Sequence, residues 1–320
     1  MNREPVPEDS PKPGDKGRIG RETAGTALAI TAALISGLAI PANKIFVTGL
    51  DPTVFTAARA LIIGIVFLAI SLYTERSLPR PRKGRNWKHL LAIAVVGGAA
   101  AFLLFFTGLQ LTTAGRGAFI HKMLPFFVAI FAFLFLKEKV SRKQWYALLV
   151  MLAGLVFMFS KSLSPAGLWL DPQMGDYLIL GATVLWAIEN TIARKAMLDD
   201  ESNIVVSFSR MFIGGLILFG AVLLMGRLDA LLSLTPWQAT SLLASSAILL
   251  GYVYCWYKSI SLINVSKASL FLLLAPVVSL ILGVLVFAEP LVDYQLIGSA
   301  LILAGAFFVV RIESRLDTGV

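Results

Sequence analysis

The chain has 320 residues, of which 57% are hydrophobic and only 15% are charged, with a net charge of +9 and a mean hydropathy of +0.80. Soluble domains are about 45–50% apolar and about 25% charged, so this composition excludes an ordinary soluble domain and indicates that lipid surrounds much of the chain. The single cysteine, Cys255, excludes an internal disulfide, and with only two histidines it argues against a zinc site. We therefore predict no metal and no cofactor.

The chain begins with a polar segment and continues as a series of long apolar windows. Residues 1–23 mix proline, glycine and charges of both signs, which predicts a disordered cytoplasmic tail without a cleaved signal peptide. A bilayer-spanning helix needs about 20 mainly apolar residues, and the windows are continuous rather than alternating, which favours helices over barrel strands. The ten predicted spans cover residues 24–44, 53–73, 89–110, 114–136, 143–160, 176–197, 204–225, 237–258, 267–288 and 292–311.

The basic residues predict how these spans are oriented. Most of the 28 Lys and Arg residues fall in the N-terminal tail, in the loops after even-numbered spans, or at the C-terminus, and the segment 76–88 is the densest cluster. Cytoplasmic loops carry an excess of such residues, so both termini are predicted to be cytoplasmic. The net positive charge therefore reports topology and not a nucleic-acid partner. We expect a multi-pass protein of the inner membrane, in contact with lipid.

The two halves of the chain repeat one another at a constant shift of 151 residues. Coincidences at this single shift occur along the whole repeat, which makes chance agreement a poor explanation. The matched positions include Pro125 and Pro276, Glu138 and Glu289, Gln144 and Gln295, Arg59 and Arg210, and Leu-Ala-Gly at 152–154 and 303–305.

An odd number of spans in each half means that the second half enters the membrane inverted relative to the first. Inverted repeats are a recurring architecture of secondary transporters, in which two similar gates open alternately around a central site. The sequence thus predicts an all-α membrane protein with a first five-helix repeat at 24–160, an outer linker at 161–175, a second repeat at 176–311 and a tail at 312–320.

The end of each repeat carries the most specific motif. The first reads Leu-Pro-Phe-Phe-Val-Ala-Ile-Phe-Ala-Phe-Leu-Phe-Leu-Lys-Glu at 124–138, and the second reads Ala-Pro-Val-Val-Ser-Leu-Ile-Leu-Gly-Val-Leu-Val-Phe-Ala-Glu at 275–289. With these motifs the chain resembles the EamA-type branch of the drug/metabolite transporter superfamily, over residues 24–311. The resemblance implies ten helices, cytoplasmic termini, a cavity between the halves, and transport of amino acids, other metabolites, nucleotide sugars or drugs by proton coupling or exchange.

Two ionisable residues inside the spans are the main candidates for substrate contact. Charges at the centre of a membrane cost about 2.5–3.5 kcal/mol on insertion scales, so they are suspected of function by default. Lys122 lies in span four, where the second repeat has Leu273. Glu189 lies in span six next to Asn190, where the first repeat has Leu38. We predict that Lys122 and Glu189 form an ion pair that substrate or a proton breaks. A permanent pair that only joins spans four and six is the equally weighted alternative.

Other candidate contacts surround these two residues. His121 precedes Lys122, but consecutive side chains on a regular helix point about 100° apart, so we expect that the two do not both face one cavity. Trp186 shares a helix face with Glu189 and lies too deep for an interfacial belt. Tyr254 belongs to an aromatic cluster in span eight and completes the candidate site, with packing or a place in the belt as its alternative.

The mirrored positions are predicted to be structural. Arg59 and Arg210 occupy matching depths, which favours a scaffold role over substrate binding. The carboxylates that close spans four and nine are expected to cap the helix that follows each of them. The predicted structural set is Arg59, Arg210, Pro125, Pro276, Glu138 and Glu289.

The function predicted from these features is secondary active transport of amino acids or related small organic solutes, by alternating access, in a monomer or homodimer. Export is the favoured direction. Coupling to protons or to exchange is favoured over ATP hydrolysis, because the chain contains no phosphate-binding glycine-rich loop. A multidrug or cation exporter of the same fold is the closest competing function. An intramembrane lipid-modifying enzyme would need a polar cluster, and a channel would need rings of like charge along a pore, neither of which the sequence contains.

Overall fold

The computed structural model describes residues 13–46, 51–163 and 171–312, and every regular element within these ranges is helical. The long helices are α1 (Pro13–Phe46), α2 (Pro52–Thr74), α3 (Gly84–Gln110), α4 (Ala114–Leu136), α5 (Arg142–Leu163), α6 (Met174–Leu198), α7 (Asn203–Leu224), α8 (Pro236–Leu262), α9 (Val265–Phe287) and α10 (Asp293–Val310). A short helix at Asp229–Leu232 precedes α8.

Within the described residues, nine of these helices are long and apolar enough to cross a membrane. This confirms a multi-pass membrane protein. The exception is α6, which has 25 residues and is therefore about 37 Å long, but carries Asp176, Glu189 and Arg194 among its apolar residues. The tenth span and the cytoplasmic placement of the termini therefore stay predictions.

The N-terminal part of α1 differs from the predicted tail. The helix begins at Pro13, although disorder was predicted through residue 23. Lys16, Arg18, Arg21 and Glu22 are residue types with good helix propensity, which favours extension of the membrane helix through this polar segment despite Gly17 and Gly20. Residues 1–12 and 313–320 of the predicted tails and 164–170 of the predicted linker lie outside the described residues.

Contacts between helices follow the sequence repeat. Helix α1 packs on α8 and α9, and its counterpart α6 packs on α3 and α4, while α2 packs on α7, α4 on α9 and α5 on α10. Three of these contacts, α2–α7, α4–α9 and α5–α10, join a helix to its own counterpart in the other repeat. A twofold axis parallel to the helices could pass between only one pair of this kind, so three pairs require an axis that crosses the helices. The contacts agree: a Cβ added at Gly154 of α5 would lie 2.6 Å from the carbonyl oxygen of Gly298 in α10, and one added at Gly305 would lie 3.2 Å from that of Ala147. The two helices therefore run antiparallel, as inversion requires.

Helices α4 and α9 are both interrupted near the middle of the molecule. Helix α4 consists of Ala114–His121 and Leu124–Leu136, and Pro125 lies in the first turn of its second segment. Helix α9 consists of Val265–Phe271 and Ala275–Phe287, separated by a 3₁₀ turn, and Pro276 occupies the matching place. Proline has no amide hydrogen and clashes with the carbonyl four residues earlier, so a break before each proline follows from the sequence.

Two helices contain π-helical turns that their repeat counterparts do not have. Ile93–Ala100 in α3 and Ser209–Ile213 in α7 are wound in this way, whereas α8 and α2 are regular α-helices. A π turn shifts the side chains that follow it and is frequent at functional sites. The turn in α7 contains Arg210.

Glu138 caps a different helix from the one predicted. Its carboxylate accepts hydrogen bonds from the backbone nitrogens of Val265 and Ser266, both at 3.2 Å, and from the Ser266 hydroxyl at 2.7 Å. It therefore caps α9 of the other repeat. Helix α5 is capped instead by Ser141 and Gln144, which exchange hydrogen bonds with each other's backbone nitrogens. The predicted target was wrong because sequence proximity favours α5, whereas the packing of α4 on α9 brings a foreign N-terminus closer.

The loops at the predicted inner end are joined across the repeats. Lys83 in the α2–α3 loop donates a hydrogen bond to Asp200 in the α6–α7 loop at 2.6 Å, and Arg85 lies 3.0 Å from Asp199. The hydrogen bond and the charge of Lys83 hold the pKa of the exposed Asp200 carboxyl below its ordinary value. At the other end, Arg227 donates to Asp51 at 2.9 Å.

Candidate substrate cavity

A cavity of about 170 Å³ lies near the middle of the helices, between the two repeats. Side chains from α1, α3, α4, α6, α7, α8 and α9 form its wall. This is smaller than the pockets of roughly 300–1,000 Å³ that hold drug-sized ligands, so the cavity suits a small solute. The lining residues are Ser36, Ala39, Phe102, His121, Lys122, Leu124, Pro125, Trp186, Asn190, Arg210, Met211, Ile248, Leu249, Tyr252, Val253 and Leu272.

His121 and Lys122 both line this cavity, so the prediction that they could not share it was wrong. The reason is the break in α4. The first segment ends at His121 and the second begins at Leu124, and the cavity lies at this break, so residues from more than one side of α4 reach it. Leu272, in the mirrored break of α9, also lines the cavity.

Glu189 pairs with Arg210, and the predicted pair with Lys122 is not formed among the described residues. The nearest Arg210 nitrogen, Nη1, lies 3.6 Å from Glu189 Oε2. Within the same part of the chain, the Lys122 ammonium has neither an ion pair nor a hydrogen bond, although Lys122 is half-buried. The sequence identified the two unmirrored charges but not their partners.

Tyr257 completes the surroundings of Glu189. Its hydroxyl donates to Glu189 Oε1 at 2.5 Å and accepts a hydrogen bond from Arg210 Nη1 at 2.9 Å. Glu189 is fully buried and does not line the cavity, so it acts on the cavity through Arg210. Burial of both charges is offset by their mutual attraction and by these hydrogen bonds.

The two mirrored arginines have different environments. Arg59 donates to the hydroxyl of Ser245 at 3.0 Å and lies over the ring of Phe55, away from the cavity. Arg210 lines the cavity and pairs with an acid. A structural role was predicted for both arginines from their symmetry. The surroundings of Arg59 fit that role better than those of Arg210, because the partner of Arg210, Glu189, has no counterpart in the first repeat.

Aromatic rings form one side of the cavity. The Trp186 indole donates to the carbonyl oxygen of Gly97 at 3.0 Å, within the π turn of α3. Its ring meets Phe102 edge-on at 5.2 Å and His121 at 5.0 Å between centroids. Edge-to-face contacts of this kind fix ring orientation as well as burying area, so Trp186 is held as a rigid wall.

Asn190 and Tyr252 lie on neighbouring parts of the wall. Asn190 Oδ1 accepts a hydrogen bond from the Trp256 indole at 2.7 Å, and Tyr252 stacks on Trp256 at 6.5 Å. Tyr254, the predicted contact in α8, lies outside the cavity on an exposed helix face. Tyr252 lines the cavity in its place. The two residues are about 200° apart on a helix, so the choice between them depends on how α8 packs.

Gly97 permits the close approach of Glu189. A Cβ added at Gly97 would lie 2.1 Å from Glu189 Cγ, so even Gly97→Ala must displace the carboxylate from Tyr257 and Arg210. We expect this variant to be destabilised by about 1–3 kcal/mol, the usual range for overpacking, and to have a lower melting temperature in detergent. Gly220→Ala in α7 is the matched control, because nothing lies within 4 Å of its added Cβ. Equal melting temperatures for the two variants would contradict this account of Gly97.

Sequence reasoning missed several lining residues, among them Ser36, Phe102 and Tyr252. Neutral side chains of this kind give no signal in a membrane helix, where apolar and small residues serve packing at most positions. For Phe102, Gly97 and Gly98 about one helical turn earlier were a usable sign, since paired glycines in a membrane helix often mark a close approach of helices. Ser36 and Tyr252 had no comparable sign.

Comparison with known proteins agrees with the repeated architecture. The model of the EamA-like transporter family matches residues 23–160 and again residues 173–311. A solved crystal structure superimposes with a TM-score of 0.77 at 19% sequence identity, covering 92% of this chain and 100% of that chain, which shows a shared fold.

Relatives in other organisms are named transporters. The uncharacterized transporter YyaM of Bacillus subtilis is 27% identical over 284 residues, which cover 87% of this chain and 92% of that protein. The uncharacterized inner membrane transporter YhbE of Escherichia coli K12 is 26% identical over 296 residues, with 89% and 90% covered. Both repeats match the family model and the helices form a repeated membrane bundle, so this chain belongs to the EamA-like transporter family.

Proposed function

We propose that this protein is a secondary active transporter, and not an enzyme, that carries small metabolites such as amino acids or related organic solutes across the inner membrane. The observation that carries the proposal is the central cavity, which residues of both repeats line, among them the basic residue Lys122. Transporter sites of this kind lie at the interface of inverted repeats, beside interrupted helices. The breaks in α4 and α9 flank this cavity.

The proposed mechanism is alternating access with ten membrane spans and cytoplasmic termini. Asymmetry between the repeats supports a state closed at the inner end. There, buried Glu138 caps α9 and lies 3.7 Å from Arg194, which also donates to the Ile260 carbonyl at 2.8 Å. The mirrored carboxylate, Glu289, is exposed. Movement of the α4 and α9 ends would open one end as the other closes, driven by a proton gradient or by exchange, with export as the proposed direction.

A cavity-filling variant tests the transport function with a mixture of solutes in place of a single chosen substrate. Proteoliposomes would be loaded with a mixture of cell metabolites, and the solutes that leave under a proton gradient or in exchange would be identified by mass spectrometry. We expect wild-type protein to move at least one solute and Ser36→Trp, which fills the cavity from α1, to lose at least nine-tenths of that flux, about the tenfold effect of 1.4 kcal/mol. Leu38→Trp is the matched control, because Leu38 lies on an exposed face of the same helix.

Two results would reject the proposed function. One is the absence of any solute movement by folded wild-type protein under both driving conditions. The other is equal flux in the Ser36→Trp and Leu38→Trp variants, because a transported solute would then bypass the cavity.

A further inference from the structure

The charges around the cavity are unbalanced. No lining residue within the described part of the chain is acidic, whereas Lys122 and Arg210 are basic. The charge of Arg210 is offset by Glu189 at 3.6 Å. The Lys122 ammonium has no such partner among the described residues, so the cavity carries about one uncompensated positive charge. An ionised group held inside a membrane protein is costly unless something pairs with it.

The carboxylate that could attract a substrate ammonium is not accessible from the cavity. Glu189 has no exposed surface, its Oε1 accepts from Tyr257, and its Oε2 faces Arg210. Gly97 packs against the other side of the Glu189 side chain. A zwitterionic amino acid would therefore bring its ammonium group to a wall that offers cations and aromatic rings and no carboxylate.

Two further polar lining residues, Asn190 and Arg210, can donate hydrogen bonds to a ligand. Asn190 uses its oxygen for the Trp256 indole, which orients the amide so that its donor Nδ2 is the group not used by Trp256. The guanidinium of Arg210 is also a donor. The same wall includes the rings of Phe102, Trp186 and Tyr252, which suit a flat apolar body.

We propose that the cavity selects a small organic monoanion with a planar or aromatic body, whose carboxylate pairs with Lys122, over a zwitterionic or cationic solute. This inference rests on the proposed transport function and narrows its substrate class. Lys122 supplies the charge and Trp186 the flat contact surface. When the anion binds, its charge neutralises the one uncompensated charge of the cavity, so the two charges are held as a pair in the low-dielectric interior.

A probe series of nearly constant shape tests this selectivity. The probes are 3-phenylpropionate as the anion, phenylalanine as the zwitterion, phenethylamine as the cation and 3-phenylpropionamide as the neutral form. Each would be titrated against detergent-solubilised full-length protein, with melting temperature as the readout, because a ligand that binds the folded state raises it. We expect the carboxylate to bind at least tenfold more tightly than phenylalanine or phenethylamine.

Variants of Lys122 test whether this residue causes the preference for the carboxylate probe. Lys122→Met is expected to weaken binding of 3-phenylpropionate about 10- to 100-fold, the equivalent of one charge-assisted hydrogen bond, and to leave binding of the amide nearly unchanged. Lys122→Arg keeps the charge and should retain the preference for the anion. Lys195→Met removes an exposed lysine of α6 and is the control for loss of positive charge elsewhere.

The inference is overturned if phenylalanine or phenethylamine binds as tightly as the carboxylate, if no probe shifts the melting temperature, or if Lys122→Met leaves carboxylate affinity unchanged. The preference among probes is measured on wild-type protein, so that measurement can contradict the inference even if Lys122→Met folds poorly. These outcomes leave the comparison of Ser36→Trp with Leu38→Trp intact, since that comparison does not depend on the charge of the solute.

Discussion

Replacing Arg210 with methionine is expected to destabilise the protein by about 3–5 kcal/mol, the cost of leaving one member of a buried ion pair without its partner. Glu189 is fully buried, and its Oε2 lies 3.6 Å from the Arg210 guanidinium, so the variant leaves a carboxylate charge in an apolar interior. Equilibrium unfolding in mixed micelles, followed by Trp fluorescence, measures the loss.

A second substitution separates the charge effect from lost packing. Adding Glu189→Gln to Arg210→Met removes the orphaned charge and should recover most of the loss, because Tyr257 can still donate to the amide oxygen. Arg59→Met serves as the matched arginine control. The Arg59 guanidinium bonds the neutral hydroxyl of Ser245, so its removal leaves no unpaired charge and should cost less. Equal destabilisation by Arg210→Met and Arg59→Met, without recovery in the double variant, would show that the pair contributes little.

Glu138→Gln is expected to release the inner end of the molecule. The charged carboxylate accepts three hydrogen bonds at the N-terminus of α9 and lies 3.7 Å from Arg194, and hydrogen bonds to a charged group contribute about 1.5–3 kcal/mol each. The amide loses the charge and can accept through only one oxygen. The balance between the two states should therefore shift toward one that is open at the inner end, by an order of magnitude or more.

Cysteine labelling measures this shift. In a Cys255→Ser background, Ala193→Cys introduces a reporter on α6 that is fully buried in the present state. A membrane-impermeant maleimide applied to inside-out vesicles should label it faster in the Glu138→Gln protein. Ser141→Ala removes the cap of α5, which does not join the repeats, and should leave labelling unchanged. A faster labelling rate in the Ser141→Ala protein, or an unchanged rate in the Glu138→Gln protein, would mean that Glu138 does not hold the inner end closed.

The candidate site was predictable only in part. Lys122 and Glu189 stood out because charge in a membrane span is costly and because each breaks the repeat. Their partners could not be predicted. Which cation reaches Glu189 depends on the rotation of α6 against α7, and the π turn around Arg210 alters that rotation in a way that no residue pattern marks. The same limit applies to Tyr252 and Tyr254, which only the packing of α8 separates.

The sequence by itself determined the membrane class, the repeat and the family, because hydropathy and a constant shift of 151 residues are properties of the chain read in order. The break of α4 beside Pro125 also follows from local chemistry. Only the tertiary structure decided that His121 and Lys122 share a cavity, that Glu189 pairs with Arg210, and that Glu138 caps α9 instead of α5. Each of these depends on how one helix is rotated and placed against another. That placement results from the summed packing of many apolar side chains that look alike in the sequence.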